Sequence, residues 1–188
     1  MKPEILARST VYKGYMTIER VRVRLADGAV VVREVESHGD AVAVLPYDAE
    51  RRTALIVRQF RLPAFDRSEQ EAIDEACAGM VDDEDPAGAA RREAMEELGV
   101  VVEMLEPVGQ VWPSPGVSSE RVTLFLAPYR AIDRTGPGGG ADGEHEGIIV
   151  IEATLGSLAA DADAGLIVDA KLLALVLSLR LRRPDLFG

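Results

Sequence analysis

One cysteine, Cys77, is all the chain contains, so no intrachain disulfide can form. Packing alone must hold the fold, which suits a reducing cytoplasm, and a cytoplasmic location is expected. Aromatic residues are scarce at 5%. Trp112 therefore reads first as a packing residue and second as a platform for a nucleobase, and base preference is not legible. An excess of basic charge is also missing. Lys and Arg total 21 against 32 Asp and Glu, a net charge of −11. That balance argues against sequence-independent nucleic-acid binding, which needs a basic surface. It does not exclude phosphate substrates, because bound divalent cations invert the local field. No apolar run reaches the length of a membrane span. The stretch 164–181 comes nearest, but Asp169, Lys171 and Arg180 interrupt it, and it reads as a core-packing helix. The N-terminus carries no basic-then-apolar signal pattern. Internal repeats and low-complexity tracts are absent as well.

What is present is an ordinary globular composition, 47% hydrophobic over 188 residues. That length fits one domain with a small appendage. Residues 4–12, 15–25 and 29–37 read as three strands, with Val21, Val23 and Leu25 alternating with Arg20, Arg22 and Arg24. Asp27-Gly28 is a hairpin-turn signal between the last two. Three such strands need something to pack on. Further strands are expected over 41–46, 53–59, 73–78, 101–111, 121–129 and 148–151. Helices are expected over 86–98, 154–161 and 167–182. Residues 112–119 read as a Pro/Gly/Ser loop and 133–143 as a mobile loop rich in Gly and Asp. Strands and helices mix without strict alternation, so the fold class is α/β of the α+β type, with a mixed sheet between helices.

The chemistry concentrates in residues 91–99, Arg-Arg-Glu-Ala-Met-Glu-Glu-Leu-Gly. Glu93, Glu96 and Glu97 stand at i, i+3 and i+4, which puts three carboxylates on one helix face. Like charges at that spacing repel, and a cation bound among them removes the cost. Hard divalent ions take such oxygen ligands together with substrate phosphate. The plain alternative is a solvated acidic face. The flanks argue for a defined helix. Asp85-Pro86 is a capping start, Met95 and Leu98 give an apolar edge, and Gly99 suits a left-handed cap. Cys77, in the apolar segment before Gly79, reads as a buried packing thiol.

Gly79, Glu84, Arg92, Glu93, Ala94, Glu96, Glu97, Gly99 and Val100 together resemble the Nudix box. Every fixed position of its C-terminal half is filled. The stretch between Gly79 and Arg92 is one residue short, so either Glu84 or Asp85 fills the first acidic slot. The resemblance extends to one branch, the nucleoside-diphosphate-sugar pyrophosphatases. It rests on Val57-Arg58-Gln59-Phe60-Arg61, on Ser114-Pro115-Gly116-Val117-Ser118-Ser119-Glu120, on Gly165–Lys171 and on His38-Gly39. Cys77-Ala78-Gly79, the short box loop and Gly138-Gly139-Gly140 are similar to the bacterial GDP-mannose pyrophosphatases within that branch.

The resemblance implies a Nudix fold, an α/β/α sandwich with a mixed sheet, over residues 39–188. A dimerising antiparallel sheet would occupy 1–38. It implies hydrolysis of the pyrophosphate of a nucleoside diphosphate sugar, GDP-mannose or ADP-ribose, by an enzyme using Mg²⁺, with Mn²⁺ as the alternative. Glu93, Glu96 and Glu97, the carbonyl of Ala78 and Glu146 would hold metal. Glu144 is the expected base, with Glu146 the other choice and His145 a bystander. Arg92 would orient a box carboxylate. Arg58, Arg61, Ser114, Pro115 and Glu120 would contact substrate. Partners would be a second copy of the chain, with or without exchange of the N-terminal sheet, and neither nucleic acid nor membrane. Two other readings are compatible with the same residues: a hydrolase of another nucleoside di-, tri- or polyphosphate, and a non-catalytic Nudix protein that binds a nucleotide sugar.

Overall fold

The computed structural model describes residues 2–82, 85–141 and 147–188. The chain divides into two compact units, residues 1–40 with 112–122, and residues 41–111 with 123–188.

The first unit is a three-stranded antiparallel meander of β1 (Glu4–Lys13), β2 (Thr17–Arg24) and β3 (Val30–Ser37). Its second turn forms where the Asp-Gly signal stands. Gly28 takes φ +90°, the Asp27 carboxylate accepts the Ala29 N–H at 3.0 Å, and the Leu25 N–H reaches the Ala29 carbonyl at 2.8 Å. Val23 faces Val31 and Val21 faces Arg33 across β2 and β3. Two of the arginines that alternate with the β2 valines meet cross-strand acids, Arg20 with Glu34 at 3.4 Å and Arg24 with Glu4, and Arg8 of β1 pairs with Glu19 of β2 at 2.6 Å. The Pro/Gly/Ser loop belongs to this unit too. The Glu36 N–H donates to the Val117 carbonyl and the Ser119 N–H to the Glu36 carbonyl, each at 2.9 Å, so residues 117–119 run along the end of β3.

The second unit has the mixed α/β architecture expected of it. Its strands are β4 (Ala41–Asp48), β5 (Thr53–Gln59), β6 (Ile73–Glu75), β7 (Cys77–Met80), β8 (Glu106–Val111), β9 (Val122–Pro128) and β10 (Ile149–Thr154). They form one sheet in the order β10-β5-β4-β9-β8, with β6 added to β5 and β7 to β4. The helices are α1 (Leu62–Ser68), α2 (Pro86–Leu98), α3 (Leu155–Asp163) and α4 (Ala170–Arg182). All eight residues of β4 are buried, as a strand covered on both faces requires. On one face Val42, Val44, Leu55, Val57, Phe125 and Ala127 pack with Ala89, Ala90, Ala94 and Leu98 of α2. On the other, Leu172, Leu175, Val176 and Leu179 of α4 are buried and α4 packs on β4.

The expected single strand over 73–78 is two strands that serve different neighbours. Glu75 pairs with Val57 of β5, whereas Cys77 pairs with Val44 of β4. The paired register of β4 with β5 covers only Tyr47–Ala54 and Asp48–Thr53, so the two strands diverge and the chain crosses between them at Ala76, which is fully buried. The Ala76 N–H is accepted by the Asp169 carboxylate at 3.1 Å, and the same carboxylate caps α4 through the Lys171 and Leu172 amides. Other departures are smaller. The strand expected from 101 begins at Glu106, because Val100 and Val102 turn into the core. Helix α1 was not expected; it buries no residue and ends at Glu69 with φ 56°, so no periodic apolar face announces it. Among the described residues no helix is long and apolar enough to cross a membrane.

Asp169→Ala removes both the α4 cap and the acceptor for a buried amide. A loss of roughly 2–4 kcal/mol is expected from these two contributions. Urea unfolding checks it, and a loss below about 1 kcal/mol would show that the amide finds another partner.

Candidate active site

Helix α2 starts and stops where its sequence dictates. The Asp85 carboxylate accepts the Ala87 and Gly88 amides at 2.9 and 3.0 Å, and Pro86 occupies the first turn. At the other end Gly99 takes φ +66°. Its N–H reaches the Met95 carbonyl at 3.0 Å, and that of Val100 reaches Ala94 at 3.2 Å, a Schellman closure.

The three carboxylates are not equivalent. Glu93 and Glu97 are buried among Ala89, Ala90, Ala94 and Leu98, and Glu96 sits at the rim. Burying a carboxylate is costly unless it is hydrogen-bonded or paired. Arg92 supplies part of the answer. Its Nη1 lies 2.7 Å from Glu93 and 3.0 Å from Glu96, and its Nη2 donates to the Met80 carbonyl at 3.1 Å. One guanidinium thus clamps the helix acids to β7. The Ala78 N–H donates to Glu97 at 3.1 Å. Between them lies Gly79, where a Cβ would stand 1.8 Å from Glu93 Oε1. The box glycine is required because β7 passes against a carboxylate at that point. Cys77 completes the floor. Burial, and then the nearby Glu97, push its thiol well above the ordinary value, so it is a neutral packing group.

The stretch 133–143 does not behave as a free loop over its described part. The Thr135 and Gly136 amides donate to the Gly99 carbonyl at 2.8 and 3.0 Å, and the Gly139 and Gly140 amides to the Glu97 and Glu96 carbonyls at 2.9 and 3.1 Å. This strap satisfies the carbonyls that every helix C-terminus leaves unpaired. Gly138, at φ +69°, has no room for a Cβ, which would meet the Glu97 carbonyl oxygen at 2.3 Å.

Arg58 and Arg61 are engaged with acids. Arg58 forks onto Asp74 at 2.6 and 2.9 Å, and Arg61 onto the buried Glu75 at 2.7 and 3.2 Å. Glu75 was missed in the sequence, although an acid inside the apolar segment 73–78 signals a need for a partner. Lys171 adds to this network, 3.5 Å from Glu75 and 2.8 Å from Asp169. Arg58 and Asp74 also line a separate cavity of about 300 Å³ with Leu158, Val168 and Leu172. Ser114, Pro115 and Glu120 belong to the first unit, where the Ser114 carbonyl accepts the Val117 and Ser118 amides and Glu120 faces His38. Trp112 is exposed rather than packed. Glu84, Glu144, His145 and Glu146 lie outside the described residues.

Among the described residues no three His, Cys, Asp or Glu side chains form a ready-made metal cage, since Arg92 holds Glu93 and Glu96 while Glu97 turns to the Ala78 amide. The donor set itself, all oxygen and largely carboxylate, suits a hard divalent cation.

A NUDIX domain model matches residues 37–166, more than half of the chain. A GDP-mannose pyrophosphatase of Cronobacter sakazakii is 34% identical over 184 residues, covering 95% of each chain. An ADP-ribose pyrophosphatase of Escherichia coli K12 is 38% identical over 153 residues, covering 78% of this chain and 73% of its own. A solved structure of an ADP compounds hydrolase superposes with a TM-score of 0.78 at 19% identity, covering 98% of this chain and 96% of that one; it shares the fold.

Gly79→Ala forces the Glu93 carboxylate from its place. The expected result is a stability loss of about 1–3 kcal/mol from overpacking, together with weaker Mn²⁺ binding by electron paramagnetic resonance. Gly156→Ala is the control, since nothing lies within 4 Å of its Cβ. Unaltered Mn²⁺ binding in the Gly79 variant would remove Glu93 from the metal site.

Proposed function

The chain belongs to the NUDIX family, and from that premise we propose that it hydrolyses the pyrophosphate bond of a nucleoside diphosphate sugar, releasing nucleoside monophosphate and sugar phosphate. The observation that carries this reading is the pair of buried carboxylates on α2, Glu93 tied to β7 through Arg92 and Glu97 by the Ala78 amide. Relatives that share this length of chain are GDP-mannose and ADP-ribose pyrophosphatases, which makes those two compounds the leading substrates.

Pyrophosphatases of this family generally need a divalent metal ion, and Mg²⁺ is proposed here, with Mn²⁺ as the alternative. Glu93, Glu96, Glu97, the Ala78 carbonyl and Glu146 would hold it. When bound, such an ion neutralises charge on the diphosphate and lowers the pKa of its water. Arg92 acts as a positioning residue, fixing Glu93 and Glu96 in one orientation through a rigid planar fork. Arg58 and Arg61 take phosphate oxygens, with Asp74 and Glu75 fixing the planes of their guanidinium groups. Ser114, Pro115 and Glu120 contact the substrate from the 112–121 loop. Glu144 or Glu146 serves as base.

A homodimer through residues 1–38, with 39–188 as the catalytic domain, forms part of the same proposal. The meander supports it, because Ile5, Val11, Tyr12, Val30 and Val32 are exposed. A three-stranded sheet that leaves such apolar side chains exposed needs something to pack on. The net charge of −11 argues against a nucleic-acid partner, and a cytoplasmic setting goes with the free thiol of Cys77.

The deciding experiment follows monophosphate release from a nucleotide-sugar panel with and without Mg²⁺. Metal-dependent cleavage preferring GDP-mannose or ADP-ribose is expected, and Glu97→Gln should lower kcat roughly 100-fold or more. Full turnover by that variant would overturn the assignment of Glu97. Binding of the panel with no cleavage would replace the hydrolase by a nucleotide-sugar sensor.

A further inference from the structure

His38 lies between two carboxylates within the first unit. Its Nδ1 contacts Glu36, and its Nε2 stands 3.6 Å from Glu120. All three side chains are about four-fifths buried, with exposures of 20% for His38, 17% for Glu36 and 20% for Glu120. Tyr15 stacks over the imidazole, centroid to centroid 6.1 Å. Arg121, next in the chain after Glu120, pairs with Asp40 at 2.5 Å.

The chemistry of the ring makes this arrangement proton-dependent. A neutral imidazole carries one N–H and one lone pair. With a carboxylate at each nitrogen, the neutral ring can satisfy one acid and must present a lone pair to the other. Only the imidazolium offers a proton to both. The hydrogen bond that the ring donates to Glu36 accordingly raises His38 above its ordinary value, outweighing desolvation, and the charges of both carboxylates add to it. Burial pushes Glu36 up, but hydrogen bonds from Ser118 and His38 hold it lower.

The two carboxylates sit on different segments. Glu36 is on β3, and Glu120 is on the 112–121 loop. The backbone already laces them through Glu36–Val117 and Ser119–Glu36 hydrogen bonds, and the Ser119 hydroxyl reaches the Glu36 carbonyl at 3.2 Å. We propose that His38 is a proton-operated latch on the 112–121 loop, binding it to β3 through Glu36 and Glu120 when protonated and releasing it when neutral. Under the nucleotide-sugar reading, on which this part rests, Ser114, Pro115 and Glu120 of that loop touch substrate, so His38 is a positioning residue for substrate binding. The sign follows from linkage. A histidine held above its unfolded value contributes fully at pH below that unfolded value and loses its contribution as pH rises through the folded one. The latch is therefore closed in mildly acidic solution and opens toward alkaline pH.

The test combines a titration with kinetics. The chain has two histidines, so His145→Gln leaves the His38 Cε1–H as a single histidine signal in the NMR spectrum. That signal should titrate above the ordinary histidine value and move down in Glu36→Gln and in Glu120→Gln. Hydrogen exchange at the Ser119 amide, corrected for intrinsic pH dependence, should quicken through the same titration and should already be fast in His38→Gln. In the unaltered enzyme KM for the preferred nucleotide sugar should rise about threefold to fivefold across that titration, the range a partly exposed ion pair provides. His38→Gln should hold KM at its high-pH value, with the kcat profile unmoved. Coincident His38 titrations in the three proteins would overturn the latch, as would a wild-type KM profile in His38→Gln. A protein that cleaves no nucleotide sugar, yet whose Ser119 protection follows His38, would support the latch and sink only the substrate assignment.

Discussion

The close approach of β7 to α2 is the constraint on which the rest of the site depends. A helix that buries two carboxylates cannot pack on a strand through side chains alone, because neither acid tolerates an apolar neighbour without a donor. Here the strand comes close enough for its backbone to do the work. Gly79 removes the Cβ that would collide with Glu93, the Ala78 amide serves Glu97, and the Met80 carbonyl anchors Arg92. The Ala78–Met80 strand thus provides clearance, a donor and an acceptor in consecutive residues. That explains why the glycine is at 79 and why the arginine precedes the first acid of the trio.

The approach in turn requires β4 and β5 to part. If they paired along their whole length, β7 would have no edge to join. The crossing at Ala76 makes the opening, and a buried amide at that crossing needs an acceptor. Asp169 meets the need while capping α4, so the helix on the far face of the sheet is tied to the strand that serves the carboxylates. Lys171 and Arg61 keep the acids of this junction from standing as uncompensated buried charge. Two sets of polar contacts, one at the crossing and one at Ala78–Met80, are thus joined through the backbone of Cys77 and link α4 to α2.

Much of this was legible in residue order because it is local. Asp85-Pro86 and Gly99 define α2 by backbone chemistry that acts within a turn, and the structure places its ends at Pro86 and Leu98. The Asp27-Gly28 turn and the Val/Arg alternation of β2 are local in the same sense. What resisted reading depends on partners distant in sequence. The break between β6 and β7 is set by two different neighbouring strands, and no feature of Ile73–Ala78 announces a change of partner. Helix α1 has no buried residue and so no periodic signature. Glu75, an acid inside an apolar segment, signals a need for a partner, but nothing local says that Arg61 and Lys171 supply it.

The glycine strap shows how composition misleads when the partner is unknown. Three successive glycines suggest freedom, since glycine has the largest backbone entropy to lose. Gly138, Gly139 and Gly140 instead hold positive φ angles, and two of them donate to the last carbonyls of α2. Their value lies in access to the left-handed region and in the absence of side chains, which lets one backbone lie against another. A helix bearing three acids already has a negative C-terminal dipole end to contend with. Amide donors laid against that end offset the dipole where a basic side chain would compete for the carboxylates, so an uncharged strap caps α2 without disturbing the acids that give the helix its use.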